Sequence, residues 1–304
     1  MRLNPWTLSI PVDQVGKKAP LERFYQDFSA AQRLVRGGFH GPLDPTGIPF
    51  YDQKDGALQY NAIIIAQYAL ALVPGALEGD ESSRRALETQ ADWLVENQEE
   101  SGVRKGFWLQ RFDNRKYAEL RNPWVSALAQ GNALSALLRA HEILCKEDYL
   151  TAAEGAFQAI RLPLSEGGVL FEEGEDLWLE EYPLSSPGHV LNGAVYALFG
   201  VLDYARVSGD PRAWDLWERG AGTVARHLPA FDTGFWSLYE MANPELTSVH
   251  YHKNIHLPQL QALFLLTGDP TVEAIVRQWR RYLFSPLSHI RRLAEGRARW
   301  RASR

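Results

Sequence analysis

Beyond residue 60, apolar residues recur three and four apart along most of the chain, the spacing that puts them on one face of an α-helix. In 82–98, Leu87, Ala91, Leu94 and Val95 share such a face, with polar and charged residues around it. The same period predicts helices over 61–73, where Pro74-Gly75 ends the pattern, and over 149–161, 255–266 and 271–283. Another opens at Pro123, with Trp124, Leu128, Leu134, Leu137, Leu138 and Ile143 apolar. Asp210 and Pro211 suit the cap and first turn of a helix over 210–228. The segment 188–207 is apolar nearly all round and is expected to be buried.

Glycine- and aromatic-rich stretches interrupt this pattern near Gly38-Phe39, Gly106-Phe107-Trp108, Gly168-Val169-Leu170 and Gly234-Phe235-Trp236. They stand roughly 65 residues apart, with two helices per interval, which is the mark of repeated helix hairpins. The predicted fold is all-α: an α/α toroid, incomplete or closed, of about eight to ten helices. Its inner helices are buried on all sides and its outer helices on one. The long loops gather at one end and line a cleft. The alternative is an open solenoid without a cleft, but loops this rich in Tyr, Trp, Glu and His favour a site. Residues 1–55 read as an irregular lead-in packed on the body, 56–285 as the toroid, and 286–304 as a basic tail. That tail holds His289, Arg291, Arg292, Arg297, Arg299, Arg301 and Arg304, either as a solvated helix end or as a contact for an anionic surface.

The net charge of -5 gives no global basic field, so nucleic acid is not an expected partner. An anionic polysaccharide would have to be met by a local basic cleft. Ten Trp, twelve Tyr and thirteen Phe serve a core, and also provide flat faces on which sugar rings stack. Cys145 is the single cysteine, which excludes a disulfide framework or a cysteine zinc site within one chain. It follows an apolar helical run and is expected in the core. Residues 1–15 carry two prolines and no apolar run of signal-peptide length, and no segment approaches a membrane span. A cytoplasmic protein is the expectation.

Four loop stretches mix acids, bases and aromatics: 110–121, 178–183, 232–239 and 250–256. With neighbouring segments they carry a resemblance. The pieces are Ile65-Ala66-Gln67-Tyr68-Ala69-Leu70, Phe112-Asp113-Asn114, Lys116-Tyr117-Ala118-Glu119-Leu120-Arg121, Pro123-Trp124-Val125-Ser126-Ala127 and Ala129-Gln130-Gly131. Further along stand Glu180-Glu181-Tyr182-Pro183, Val190-Leu191-Asn192-Gly193, Asp232-Thr233-Gly234, Tyr251-His252, and His256 with Gln259-Leu260-Gln261. In this order they resemble the C-terminal catalytic domain of the D-glucuronyl C5-epimerases, which act on heparosan and heparan sulfate precursors. The match runs roughly over residues 48 to 283; the family's β-rich N-terminal part has no counterpart in it.

The resemblance implies inversion of C5 in a glucuronate residue within a polymer, giving iduronate. The C5 hydrogen lies α to a carboxylate, so its removal builds an enolate-like dianion. Charge stabilisation is then needed, together with proton-transfer groups on opposite faces of the ring. No cofactor is required. The resemblance assigns acid/base roles to Glu181, Tyr182 and Tyr251, and an active-site role to Tyr239. Pro183 biases Tyr182 to an extended backbone, in which neighbours point to opposite sides; both Glu181 and Tyr182 face the cleft only if the loop is kinked.

The family places an arginine three residues after the position of Tyr239, where this chain has Ala242. A cation for the substrate carboxylate must come from elsewhere, and Lys116, Arg121 and Lys253, with Arg111 behind them, are the candidates. At least two of the first three are expected in the cleft. Asn192 and Trp236 join them as substrate-binding candidates. His252 and His256 match the family, where they hydrogen-bond substrate or orient Tyr251. A two-His metal site with Glu245 is the weaker reading, and no metal is expected.

The partner expected is thus a uronate-containing polysaccharide. A homodimer is suggested by the resemblance and by the apolar region near Trp300. Competing readings are a uronate polysaccharide lyase, which shares C5 abstraction, and a non-catalytic glycan-binding protein. A glycoside hydrolase pairing Glu181 with Asp113 or Asp232 is a further one.

Overall fold

Short polar side chains set the helix starts. Asn61 accepts the Ile63 N–H and caps α1 (Ala62–Leu77), and Asp80 accepts those of Ser82 and Ser83 and caps α2 (Glu81–Glu96). Ser126 opens α3 (Ala127–Leu144), which is followed by α4 (Glu147–Ile160). Asp210 and Pro211 open α6 (Pro211–His227) after α5 (Leu191–Ser208). The next helix, α7, runs through Val249–Tyr251, a π-helical turn His252–His256 and Leu257–Thr267. Asp269 caps α8 (Pro270–Phe284), and α9 (Pro286–Ala302) follows. Two antiparallel hairpins lie in the connections: β1 (Phe50–Asp52) with β2 (Leu58–Tyr60), and β3 (Leu170–Glu173) with β4 (Asp176–Leu179). This computed structural model describes residues 20–28, 42–52 and 58–302.

The helices pair as hairpins, α1 with α2, α3 with α4, α5 with α6 and α7 with α8. Along the inside, α1 packs on α3, α3 on α5 and α5 on α7. Every residue of α5 from Leu191 to Ala205 is buried, as its apolar sequence requires. Backbones of α3 and α5 touch: a Cβ on Gly131 would lie 2.3 Å from the Ala197 Cα, and one on Gly200 2.3 Å from the Gly131 carbonyl oxygen. The outer helices α2, α4, α6 and α8 bury one face only. This is an α/α toroid, and the described residues supply four hairpins of it.

Inner helices all start, and outer helices all end, at the same rim. The loops 97–126, 161–190 and 228–248 therefore gather there. Residues 20–28 cover the inner wall. Phe24 and Phe28 pack on Tyr196, and Tyr25 packs on Phe199. Asp203 on α5 accepts hydrogen bonds from Tyr25 (2.6 Å), Ser135 (2.6 Å) and Arg139 (2.5 Å), all buried. Arg139 compensates the buried Asp203 charge, and the Tyr25 hydroxyl ties the segment to that pair.

Several expectations change. Pro74 does not end the first helix; α1 continues to Leu77, because the proline falls in the last turn and few N–H bonds follow it. The third helix opens at Ala127 rather than Pro123, since Trp124 is held in a bridge to Gln110 and Ser126 is the cap. Cys145 is exposed, not in the core: it is the left-handed C-cap of α3, at φ 57°. In the basic tail, residues 286–302 form a helix, with Leu287, Ile290 and Leu293 exposed. Gly38-Phe39, much of 1–55, Arg304, and the side chains of Arg297, Arg299, Trp300 and Arg301 lie outside the described residues. Among the described residues no helix is long and apolar enough to cross a membrane.

Candidate active site

Loop 161–190 brings the paired glutamates to the rim. The Glu180 N–H donates to the Val169 carbonyl, and the Glu180 carbonyl accepts the Ala127 N–H, tying the strand end to the start of α3. The two side chains then part. Glu180 turns inward to His189, whose Nδ1 lies 2.5 Å from Oε1 and whose N–H donates to Oε2. Glu181 points into a cavity of about 310 Å³. The chain bends at Glu181 and Tyr182, and the Leu184 N–H returns to the Tyr182 carbonyl. The loop is thus kinked, and Glu181 and Tyr182 both line the cavity.

Tyr239 arrives from loop 228–248. Its carbonyl accepts the Leu191 N–H and its N–H donates to Glu245, so it is strapped to the first turn of α5. Its hydroxyl lies 3.4 Å from that of Tyr182 and 3.5 Å from Glu181 Oε1. Tyr251, just before the π-helical turn of α7, sets its ring edge-on to Tyr239 at 5.4 Å. Local π-turns are frequent at functional positions, because they re-aim one side chain. Glu181, Tyr182, Tyr239 and Tyr251 thus line one cavity. Its other walls include Asn61, Gln67, Asn114, Asn192 and Tyr196.

Electrostatics separate the acid from the phenols. Burial pushes the Glu181 carboxyl up to about 7, against the opposing pull of hydrogen bonding from Tyr182 and the charge of Lys116. Its Oε2 has no hydrogen-bond partner. Burial, then the charge of Glu181, hold Tyr182, Tyr239 and Tyr251 well above the usual phenol range. Near neutral pH the cavity therefore offers a carboxyl able to take or give a proton, and phenols able to give one.

The basic candidates are not brought together. Lys116 stands 4.1 Å over the ring of Tyr239, a cavity residue, with Glu240 at 3.1 Å and Glu245 at 3.4 Å. Arg121 points outward, paired with Asp113 at 2.9 Å and 70% exposed. Arg111 pairs with Glu99 in a neighbouring pocket, and Lys253 is exposed. None of the three lines the cavity, and Lys116 approaches it over the ring of Tyr239. Asp113 and Glu99 engage the two arginines outside the cavity.

Trp236 and the two histidines also move to a supporting place. Trp236 is fully buried and stacks on His252 at 4.4 Å, so it offers no face to a sugar. The His252 Nδ1 lies 2.7 Å from Ser237 Oγ, and its Nε2 lies 3.1 Å from the Trp279 carbonyl oxygen, to which it donates. His256 contacts the same Ser237 Oγ at 3.3 Å, and its ring meets Tyr251 edge-on at 5.1 Å. Burial pushes His252 down to about 4 and His256 to about 3, so both are neutral. They fix the segment of Tyr239 and the turn of Tyr251 from behind and do not line the cavity. Among the described residues no group of three or more acids, histidines or cysteines could hold a metal ion.

A family model described as the D-glucuronyl C5-epimerase C-terminus matches residues 102–281. The chain belongs to this family. A D-glucuronyl C5-epimerase of Caenorhabditis elegans is 28% identical over 225 residues, 67% of this chain and 36% of that protein. An uncharacterized protein of Methanocaldococcus jannaschii is 30% identical over 198 residues, 63% of each chain. This C5-epimerase family member therefore spans about a third of the worm enzyme and under two thirds of the archaeal protein. Among solved structures, the endo-β-1,4-glucanase CMCax of Acetobacter xylinum aligns with a TM-score of 0.51 at 17% identity, covering 87% of this chain and 76% of its own. That likeness concerns the toroid alone.

Two residues in or beside the candidate site are not marked out by the sequence pattern above. Gln67 on α1 is buried and lines the cavity with its Oε1 unpartnered, as Asn192 does with its Oδ1. An amide in an apolar helix, as in Ile64-Ile65-Ala66-Gln67, is the signal that marks it. Glu240 is buried and accepts the Tyr117 hydroxyl while pairing with Lys116; nothing in its local sequence sets it apart.

Proposed function

We propose that this chain inverts C5 of a hexuronate residue in an anionic, heparosan-like glycan. The observation that carries the reading is Glu181: a buried carboxyl poised near 7, with a free oxygen, sharing its cavity with three phenols. A group that must both take and return a proton works best when its pKa lies near the working pH.

In this reading ionised Glu181 takes the C5 proton on one face. The C5–H electron pair moves into the carboxylate, giving the enolate-like dianion. Tyr251 returns a proton to C5 from the other face, and the electron pair returns to carbon. Glu181 is left protonated and Tyr251 as phenolate. Tyr239 lies between them in contact and passes the proton back, which restores both groups. Tyr182 hydrogen-bonds Glu181 and Tyr239 and holds the chain of hydroxyls in place.

The substrate carboxylate is proposed to sit at the Lys116 side. The chain has Ala242 where the family has an arginine, and Lys116 supplies a cation over Tyr239 from another loop. The first turns of α1, α3 and α5 also end at this rim, with dipoles that favour an anion. Gln67 and Asn192 offer unpaired amide oxygens to ring hydroxyls. Incubation with heparosan, followed by disaccharide analysis, tests the reading. Iduronate is the expected product. An unsaturated uronate would assign a lyase instead, and new reducing ends without unsaturation a hydrolase.

A further inference from the structure

A second pocket, of about 470 Å³, lies beside the active-site cavity and plays no part in the chemistry above. Tyr60 and Trp93 form its aromatic corner, with ring centroids 5.7 Å apart, and Phe50 stacks behind Tyr60 at 4.9 Å. Tyr60 is 41% exposed, so part of its surface is accessible in the pocket. Glu96, Glu99, Glu100 and Arg111 supply the polar edge, with Arg111 and Glu99 paired at 2.5 Å.

Its position relates it to the first cavity. Tyr60 is followed by Asn61, and Arg111 by Phe112; the first of each pair lines this pocket and the second lines the active-site cavity. The two pockets thus share the segments Tyr60-Asn61 and Arg111-Phe112 in their walls. Both are at the loop rim, one at the N-terminal turns of inner helices and the other at the C-terminal turn of α2.

Charge then sorts the occupants. The active-site cavity meets helix N-termini and Lys116, which favour an anion. The second pocket meets a helix C-terminus and three glutamates against one arginine, which disfavour an anion and suit an uncharged ring stacked on aromatics.

We propose that this pocket is a subsite for an uncharged pyranose of the same glycan chain whose uronate enters the active-site cavity. The proposal rests on the epimerase reading for that uronate. A polymer alternating uronate with an uncharged N-acylated hexosamine would fill both, and length beyond the reacting uronate would add affinity through Trp93 and Tyr60.

Ligand-observed NMR and calorimetry test this with a uronate/N-acetylhexosamine disaccharide, the corresponding hexasaccharide, and an uncharged N-acetylhexosamine disaccharide. Trp93→Ala is expected to weaken the hexasaccharide about 5- to 10-fold and to abolish contact with the uncharged disaccharide. The uronate disaccharide, which fills both pockets, should weaken likewise, while free glucuronate, which enters the active-site cavity alone, should bind as it does to the parent. Trp93 is partly buried, so Glu100→Lys, at an exposed position, provides a second variant that leaves the ring in place. It is expected to shift preference in the pocket toward anionic sugars. If both variants bind all three glycans as the parent does, the subsite is overturned, whether or not C5 chemistry occurs. Trp93-dependent binding of the uncharged disaccharide without any C5 exchange would keep the subsite and overturn the epimerase reading.

Discussion

Glu181 lies directly against Gly193. A Cβ built on that glycine would fall 2.4 Å from the Glu181 Cβ and 2.5 Å from its Oε2. The first turn of α5 therefore admits the carboxyl only because position 193 has no side chain. Gly193→Ala is expected to push Glu181 out of line, lowering turnover about 10²-fold. Overpacking should cost about 1–3 kcal/mol of stability, read by denaturant titration. Parent turnover in a folded Gly193→Ala would show that the placement of Glu181 is not critical.

Lys116 is the cation beside the phenols, and its charge lowers the Glu181 pKa. Lys116→Ala should raise KM about tenfold, with an effect that shrinks as salt is added. It should also move the rising limb of the pH–rate profile upward, because Glu181 loses a stabilising charge. Arg121→Ala, which removes an exposed pair with Asp113, should leave both readings near the parent. Equal effects of the two substitutions would contradict this placement of the substrate carboxylate.

Glu181 also makes stability depend on pH. Its carboxyl is raised from 4.5 to about 7, so between those values the folded state holds more protons than the unfolded chain. Stability from this group is therefore full below 4.5 and falls as pH rises through 7. At pH above 8 the burial penalty is at most about 3 kcal/mol. Glu181→Gln removes it and should be more stable than the parent at about pH 8, by a margin that closes toward pH 4 to 5. Urea titrations at the two extremes check this. A margin independent of pH would mean that Glu181 does not titrate with a raised pKa.

Tyr251→Phe keeps the ring edge-on to Tyr239 and removes only the hydroxyl. Net inversion should fall about 10²- to 10⁴-fold. Exchange of the C5 hydrogen with solvent should persist, since Glu181 can still take and return a proton on its own face. A loss of exchange equal to the loss of inversion would make Tyr251 a binding residue.

The toroid was legible because its repeat is written twice, in helical periodicity and in the glycine–aromatic interruptions. The all-apolar α5 and the one-faced α2 read directly as inner and outer helices. Glu181, Tyr182, Tyr239 and Tyr251 were reached through the family resemblance, and the structure puts them in one cavity. The cations were misplaced because a loop arginine takes the nearest carboxylate, as Arg121 does with Asp113, and that depends on tertiary geometry. Trp236 was read as a substrate contact, and His252 and His256 as contacts either to substrate or to Tyr251; burial, which local sequence does not reveal, puts all three behind the cavity, with His256 against Tyr251. The kink at Tyr182 and the exposed cap at Cys145 are backbone details set by neighbouring loops and turns.

Incubation of the parent protein with heparosan in heavy water reads proton transfer at carbon itself. Deuterium should appear at C5, in iduronate and in recovered glucuronate alike, with no unsaturated product and no shortening of the chain. Glu181→Gln, folded and binding the glycan, should show neither deuterium nor iduronate. Heparosan recovered from the parent without deuterium at C5, although bound in the cavity, would contradict C5 chemistry at Glu181 and Tyr251.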